Sequence, residues 1–263
     1  MKPDMETISG LIREASSFFR IDPESSAEAK GYGNYVTAAD RGIESFLKEE
    51  LKKRYPEVQL LGEEQDNSDL DLSGSVWILD PVDGTMNFIR DYAHSAISLA
   101  YAEHGTIMQA WVLDPYRNEL FTAERGHGAF CNGKPIHVSG KLHLKDAIVF
   151  CGTSPYHREL STWYFDTMHA VFDSCEDIRR TASAVLDLAW TACGRADAYF
   201  EHVYSWDRAA GMLLVEEAGG KVTDFHGNQA EVFGFREVAA GTPGVLDDLL
   251  PILQKEPCPR IIL

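Results

Sequence analysis

The chain has 263 residues and a formal charge of −17, from 24 Lys and Arg against 41 Asp and Glu; 44% of its residues are hydrophobic and 25% charged. This is the composition of an ordinary globular protein, which excludes disordered, collagen-like and coiled-coil classes, and at roughly 150 residues per domain the length allows one large domain or two small ones. So acidic a chain is unsuited to direct nucleic-acid or anionic-membrane binding, which depends on clustered Lys and Arg, and an anionic substrate would need a metal ion or a helix N-terminus beside it.

Ile8, Leu11, Ile12, Ala15, Phe18 and Phe19 fall at helical spacing and predict an amphipathic helix over 8–19. Asp4 and Glu6 occupy the place where a signal peptide has basic and then apolar residues, and the longest apolar runs, such as 209–215, fall short of the roughly 20 residues of a membrane span. A cytoplasmic protein with no membrane partner is expected. After a loop holding Gly31 and Gly33, a second helix carries Ile43, Phe46, Leu47 and Leu51 on one face, has Asp40 near its start, and ends at Tyr55-Pro56 because Pro cannot continue it. Runs 58–61 and 76–79 are too short for helices and read as buried strands with acids at their C-terminal ends.

From 96 to 138 short β-prone runs (96–101, 106–113, 119–122) alternate with Gly, Asp-Pro and Asn-Gly, which predicts an antiparallel meander with Gly126, Gly128 and Gly133 in its turns. Beyond it, strands at 147–151, near 178, 198–200, 221–223 and near 238 alternate with helices at 157–172, 182–193, 207–218 and from 245. Such alternation implies a sheet layered with helices. Nothing in the sequence resembles a linker, so the change near Ser139 reads as a seam between an N-terminal α+β subdomain (1–139) and a C-terminal α/β subdomain (140–263). The five cysteines (131, 151, 175, 193, 258) are odd in number, scattered and without a C-x-x-C pair, so neither a disulfide framework nor a zinc site is expected.

Three acidic clusters stand out: Gly62-Glu63-Glu64, the run Asp80-Pro81-Val82-Asp83-Gly84-Thr85, and Trp206-Asp207. In the second, a strand ending in two carboxylates around a Pro turns at Gly-Thr and aims both acids at one point. Their repulsion is relieved by protonation, solvation or a shared cation, and an all-oxygen donor set selects a hard ion such as Mg²⁺. The amides of Gly84 and Thr85 at the turn can hold an anion. Each cluster also has a plainer reading: solvated loop acids for Glu63 and Glu64, an Asx turn around Asp80 and Asp83, and a helix cap for Asp207.

Six strings, VTAAD (36–40), LLGEE (60–64), DPVDGTMNF (80–88), GHGAFCNG (126–133), GRADAYFE (194–201) and WDRAAGMLLVEEAGG (206–220), follow in an order that resembles the inositol monophosphatase family across nearly the whole chain. The resemblance implies a mixed α/β fold, a five-layered α-β-α-β-α sandwich, and a Mg²⁺-dependent, lithium-sensitive phosphomonoesterase acting on a small polyol or sugar phosphate, inositol monophosphate foremost. It implies two or three Mg²⁺ ions, held by Glu63, Asp80, the Val82 carbonyl, Asp83 and Asp207, and a homodimer. It also implies attack by a water activated by the metal ions and oriented by Glu63 and Thr85, with Asp40 supporting Thr85. Asp83 takes part through the second ion, and the leaving oxygen is protonated near Asp207. Gly84 and Thr85 would bind phosphate, and Asp83, Ala182, Ser183, Ala184 and Glu201 the hydroxyls.

Two positions depart from the family pattern: Ala182 replaces a common Gly, where its methyl is expected to narrow the hydroxyl pocket, and Met86 replaces a frequent Thr, where an effect on packing is expected. Fructose 1,6-bisphosphate, histidinol phosphate and 3′-phosphoadenosine 5′-phosphate remain alternative substrates, and Met86 stands where enzymes acting on the last tend to carry Lys. A second class also stays open, a regulatory protein that binds a partner and retains residual phosphatase activity.

Overall fold

In the computed structural model, which describes residues 2–22, 26–31 and 34–255, Asp4 opens the first helix by accepting the Thr7 N–H at 2.8 Å. Gly33 and Cys258 lie outside the described residues. Helix α1 (Met5–Ala15) therefore begins before the expected residue 8, and the chain beyond it tightens into a 3₁₀ segment, Ser16–Arg20. The stretch read as a loop contains an antiparallel pair, β1 (Glu28–Gly31) and β2 (Asn34–Val36). The first of these strands is wholly exposed and so carries no apolar alternation to betray it. Helix α2 (Ala38–Arg54) starts in a capping box: Thr37 accepts the N–H groups of Ala39 and Asp40, and Asp40 accepts that of Thr37.

The first sheet runs in chain order: β3 (Gln59–Gly62), β4 (Ser75–Asp83), then, after the short helix α3 (Thr85–Ile89), β5 (Ala96–Glu103), β6 (Thr106–Asp114), β7 (Glu119–Glu124), β8 (Gly128–Cys131) and β9 (Lys134–Pro135). Its pairs are antiparallel except β3 with β4. Helix α3 and the last two strands go beyond what the sequence suggested. The second sheet has the order β11-β10-β12-β14-β13, built from β10 (Ile148–Cys151), β11 (Asp177–Arg179), β12 (Ala198–Val203), β13 (Lys221–Thr223) and β14 (Arg236–Gly241). Between and after its strands lie α4 (Ser161–Phe172), α5 (Ala184–Ala192), α6 (Ser205–Glu217) and α7 (Pro243–Leu253).

The two-residue period of the strands sorts their side chains into three cores. Trp77, Leu79, Ile97, Leu99 and Trp111 pack under α1 and α2, while their neighbours Val76, Ile78, Ala100, Ala110 and Val112 face α5 and α6. In the second sheet Phe150, Tyr199, Val238 and Ala240 close that middle core from the other side, and Val149, Phe200 and Ala239 face α4 and α7. The layers are thus α-β-α-β-α, as expected. Burying each large side chain contributes roughly 1.5–3 kcal/mol, and α5 and α6, apolar on most sides, are shared by both sheets. Among the described residues no helix is long and apolar enough to cross a membrane.

Candidate active site

The acids of β4 converge because the strand is bulged. Asp80 pairs with Ser98 and Asp83 with Ala96, so three steps on β4 match two on β5. In a regular strand residues three apart face opposite sides; the extra residue returns Asp83 to the side of Asp80. The Val82 N–H donates to Asp80 Oδ1 at 3.0 Å, and the Thr85 hydroxyl donates back to the Val82 carbonyl at 3.0 Å. Gly84 then takes φ +83°, and a Cβ there would lie 3.1 Å from the carbonyl oxygens of both Ala182 and His94. Asn87 ties the same backbones together, its Nδ2 donating to His94 O at 2.8 Å and Thr181 O at 2.7 Å.

The other half of the chain closes on this corner. Asp83 Oδ2 accepts from the Ser183 hydroxyl and from the Val185 N–H at 2.9 Å, so it caps α5 from outside. That helix begins at Ala184 rather than Ala182, because Ala182 adopts φ +65° and cannot enter it. Asp207 lies at the third position of α6, where its Oδ2 accepts the Tyr204 N–H at 2.8 Å; the N-cap residue itself is Tyr204. Ligand oxygens of Asp80, Asp83 and Asp207 all lie within 4.8 Å of one another. Glu63, directly after β3, lines the same cavity as these three, and its charge adds to the rise in the Asp80 pKa. Lys30 approaches from β1, 2.6 Å from Glu64 Oε1 and 3.8 Å from Glu63 Oε1.

Burial raises the pKa of all four acids. For Asp80 the charges of Glu63, Asp83 and Asp207 add to it, and for Asp207 those of Asp83 and Glu63. Lys30 partly offsets the effect at Glu63, and the Ser183 and Val185 donors do so at Asp83. The four line a cavity of about 260 Å³ together with Val82, Gly84, Thr85, Ala182, Ala184 and Glu201. Glu201 is buried, with Oε1 accepting the Ser154 N–H and Oε2 the Tyr199 hydroxyl, each at 2.9 Å. Its pKa rises through burial despite these donors.

Two residues expected in the site do not face the cavity. Ser183 is fully buried behind it and acts on Asp83. Asp40 is fully buried too, held at Oδ2 by the Thr37 amide and hydroxyl, while its Oδ1 has no hydrogen-bond partner among the described residues. The Thr85 hydroxyl goes to Val82 instead. Burial pushes Asp40 up to about 6.

The sequence reading passed over Tyr156, Arg158, Arg180, Tyr204 and Phe235, all of which line the cavity. None belongs to an acidic cluster. The one sequence signal was a loop, 152–157, placed directly after a buried strand, where sheets of this kind present their sites.

The donor set suits a hard divalent cation. It is all oxygen, buried, and repels itself, and a cation shared by Asp80, Asp83 and Asp207 with Glu63 beside it would relieve what burial costs. The model of the inositol monophosphatase family matches residues 4–256. A Xylella fastidiosa protein named Nus factor SuhB is 44% identical over 201 residues, 75% of this chain and 71% of its own. An inositol-1-monophosphatase of Rhizobium meliloti is 42% identical over 199 residues, 75% of each chain. The solved structure of the extragenic suppressor protein suhB from Bartonella henselae superposes with a TM-score of 0.89 at 34% identity, covering 95% of this chain and 98% of that one.

Proposed function

This chain belongs to the inositol monophosphatase family, and on that premise we propose that it is a Mg²⁺-dependent phosphomonoesterase whose substrate is a small polyol phosphate, inositol monophosphate first. The carrying observation is the convergence of Asp80, Asp83 and Asp207 beside the Gly84–Thr85 turn. Bound Mg²⁺, held by Glu63, Asp80, the Val82 carbonyl, Asp83 and Asp207, would supply Lewis acidity toward the phosphoryl oxygens and lower the pKa of a water.

The chain's own groups do the rest. The Gly84 and Thr85 amides, at the start of α3, receive the phosphate oxygens. Glu63 and Thr85 orient the attacking water, and the Val82 carbonyl, by accepting from Thr85, sets the direction of that hydroxyl. Asp207, anchored at one oxygen by Tyr204, keeps the other beside the leaving oxygen and guides a proton to it. Asp40 fixes the entry of α2 by accepting the Thr37 N–H. Hydroxyls of the polyol meet Asp83, Ala184 and Glu201, with Ala182 shaping the wall. A homodimer and inhibition by Li⁺ are expected from the same kinship.

A second reading has one specific support: the relatives named Nus factor SuhB, including one that is 44% identical. In it the fold serves mainly to bind a protein or ribonucleoprotein partner. A phosphate-release panel with Mg²⁺ across inositol 1-phosphate, fructose 1,6-bisphosphate, histidinol phosphate and 3′-phosphoadenosine 5′-phosphate separates the two. Turnover of inositol 1-phosphate above the others is the expected result. A folded protein inert on the whole panel would favour the partner-binding role.

A further inference from the structure

One aromatic side chain in the cleft is left without a structural task. Tyr156 is 47% exposed and lines the same cavity as the acids, yet among the described residues its hydroxyl makes no hydrogen bond and its ring packs on no other ring. The nearby aromatics are already engaged: Tyr204 stacks on Trp206 at 5.0 Å and Phe235 meets His157 at 4.2 Å. Tyr156 shares the cavity lining with Glu63, Asp80, Asp83 and Asp207.

The loop that carries it is held at a cost. Ser154 has φ +41°, in the left-handed region that disfavours a residue with a side chain. Buried contacts hold it there: its N–H donates to Glu201, and its hydroxyl bonds to Tyr164 Oη at 2.6 Å and to the His202 carbonyl. Its own carbonyl accepts the His157 N–H at 2.8 Å, which closes a turn around Pro155 and Tyr156. Gly152 gives Glu201 room, since a Cβ there would lie within 2.0 Å of that carboxyl group. These buried contacts fix the backbone of the turn and so place Tyr156 at the cleft.

We propose that Tyr156 is a specificity-determining residue whose ring covers the leaving-group part of the cleft and packs on the apolar C–H face of a cyclic polyol. The inference rests on the phosphatase reading above. A ring stacked on C–H groups contributes about 1 kcal/mol, roughly a fivefold change in affinity; an acyclic leaving group such as glycerol presents no such face.

The test compares KM and kcat of the full-length Mg²⁺-loaded protein, Tyr156→Phe and Tyr156→Ala on myo-inositol 1-phosphate and glycerol 2-phosphate, with thermal unfolding of each variant. Tyr156→Ala is expected to raise KM for the inositol ester about fivefold more than KM for the glycerol ester, with kcat changing less than KM. Tyr156→Phe keeps the ring and should restore the wild-type ratio. An unchanged ratio in Tyr156→Ala, or equal effects of Phe and Ala, overturns the role of the ring while leaving the phosphatase reading standing. Failure of the wild type to release phosphate from either ester overturns that reading and this inference with it.

Discussion

Asp83 accepts the N–H of Val185 at 2.9 Å across 102 positions of sequence. The carboxylate at the end of β4 therefore caps a helix of the other half of the chain, while its second oxygen remains for the acidic cavity. Asp207 divides its oxygens in the same way, one on the Tyr204 N–H. The cap and metal readings of these residues are thus compatible, and the caps fix where the remaining oxygens lie.

That division makes Asp83→Asn and Asp207→Asn informative. Asn accepts an N–H as well as Asp does and is as good at helix starts, so both variants are expected to fold. Without metal each should gain about 1 kcal/mol, because one repulsive charge has left the group. Turnover should fall at least about a hundredfold, since neither amide replaces an anionic ligand. Measuring kcat and thermal unfolding with and without Mg²⁺ checks both halves; near-normal kcat in either variant removes that residue from the site.

Metal and pH act through the same charges. Asp40 moves from an ordinary 3.8 to about 6, and Glu63, Asp80, Asp83 and Asp207 move in the same direction. A carboxyl whose folded pKa lies above its unfolded one contributes stability below the unfolded value and loses it as pH rises through the folded value. The metal-free protein should lose stability from these groups as pH rises above about 4, and Mg²⁺ should restore more at pH 8 than at pH 6. At a hundred times its Kd the ion adds about 2.7 kcal/mol. Unfolding scans with Mg²⁺ or EDTA at both pH values, with proton release followed by calorimetry in two buffers, provide the check. An increment independent of pH would contradict it.

The departure at Ala182 has a backbone cause. With φ +65° the residue occupies a conformation that favours Gly, so the family's glycine suits the chain path as well as the space. Ala182→Gly should stabilise by about 0.5–1 kcal/mol. Gly84→Ala should do the reverse, losing about 2 kcal/mol or more: φ there is +83° and the new methyl meets two carbonyl oxygens at 3.1 Å. Its KM should also rise, since the Gly84 amide is a proposed phosphate donor. Denaturant midpoints and KM for both variants decide the matter; a destabilised Ala182→Gly would mean that the methyl packs usefully.

The layer order and the acidic corner were legible because each rests on local pattern: two-residue alternation in the strands, and three short acidic strings. The convergence of Asp80 and Asp83 was readable as a turn, but its agent is a bulge against Ser98 and Ala96, which is a matter of pairing. Strand β1 escaped because an exposed strand leaves no apolar signature. Tyr156 escaped because its placement depends on Ser154 meeting Glu201, 47 positions away. Long-range hydrogen bonds of this kind have no period to read.

Glu201 is where the two kinds of evidence meet, since the sequence pointed to a substrate contact and the structure shows a support for the Ser154 turn. Glu201→Gln keeps an acceptor for the Ser154 N–H and turns an amide toward the Tyr199 hydroxyl, which can accept from it. The loop should hold, while the charge offered to a substrate hydroxyl is lost and the buried Tyr199 O–H loses its acceptor, at a cost of about 1–2 kcal/mol. KM for inositol 1-phosphate should then rise about tenfold or more, the equivalent of one charged hydrogen bond, and more than KM for glycerol 2-phosphate. Gly152→Ala acts differently, because its methyl would fall 1.7 Å from the same carboxyl group and displace it. That leaves the buried Ser154 N–H unpaired and should cost about 2–3 kcal/mol while disturbing Tyr156 as well. Kinetics of both variants on both esters, with denaturant melts, separate the roles. A silent Glu201→Gln beside a damaged Gly152→Ala would confine Glu201 to holding the turn.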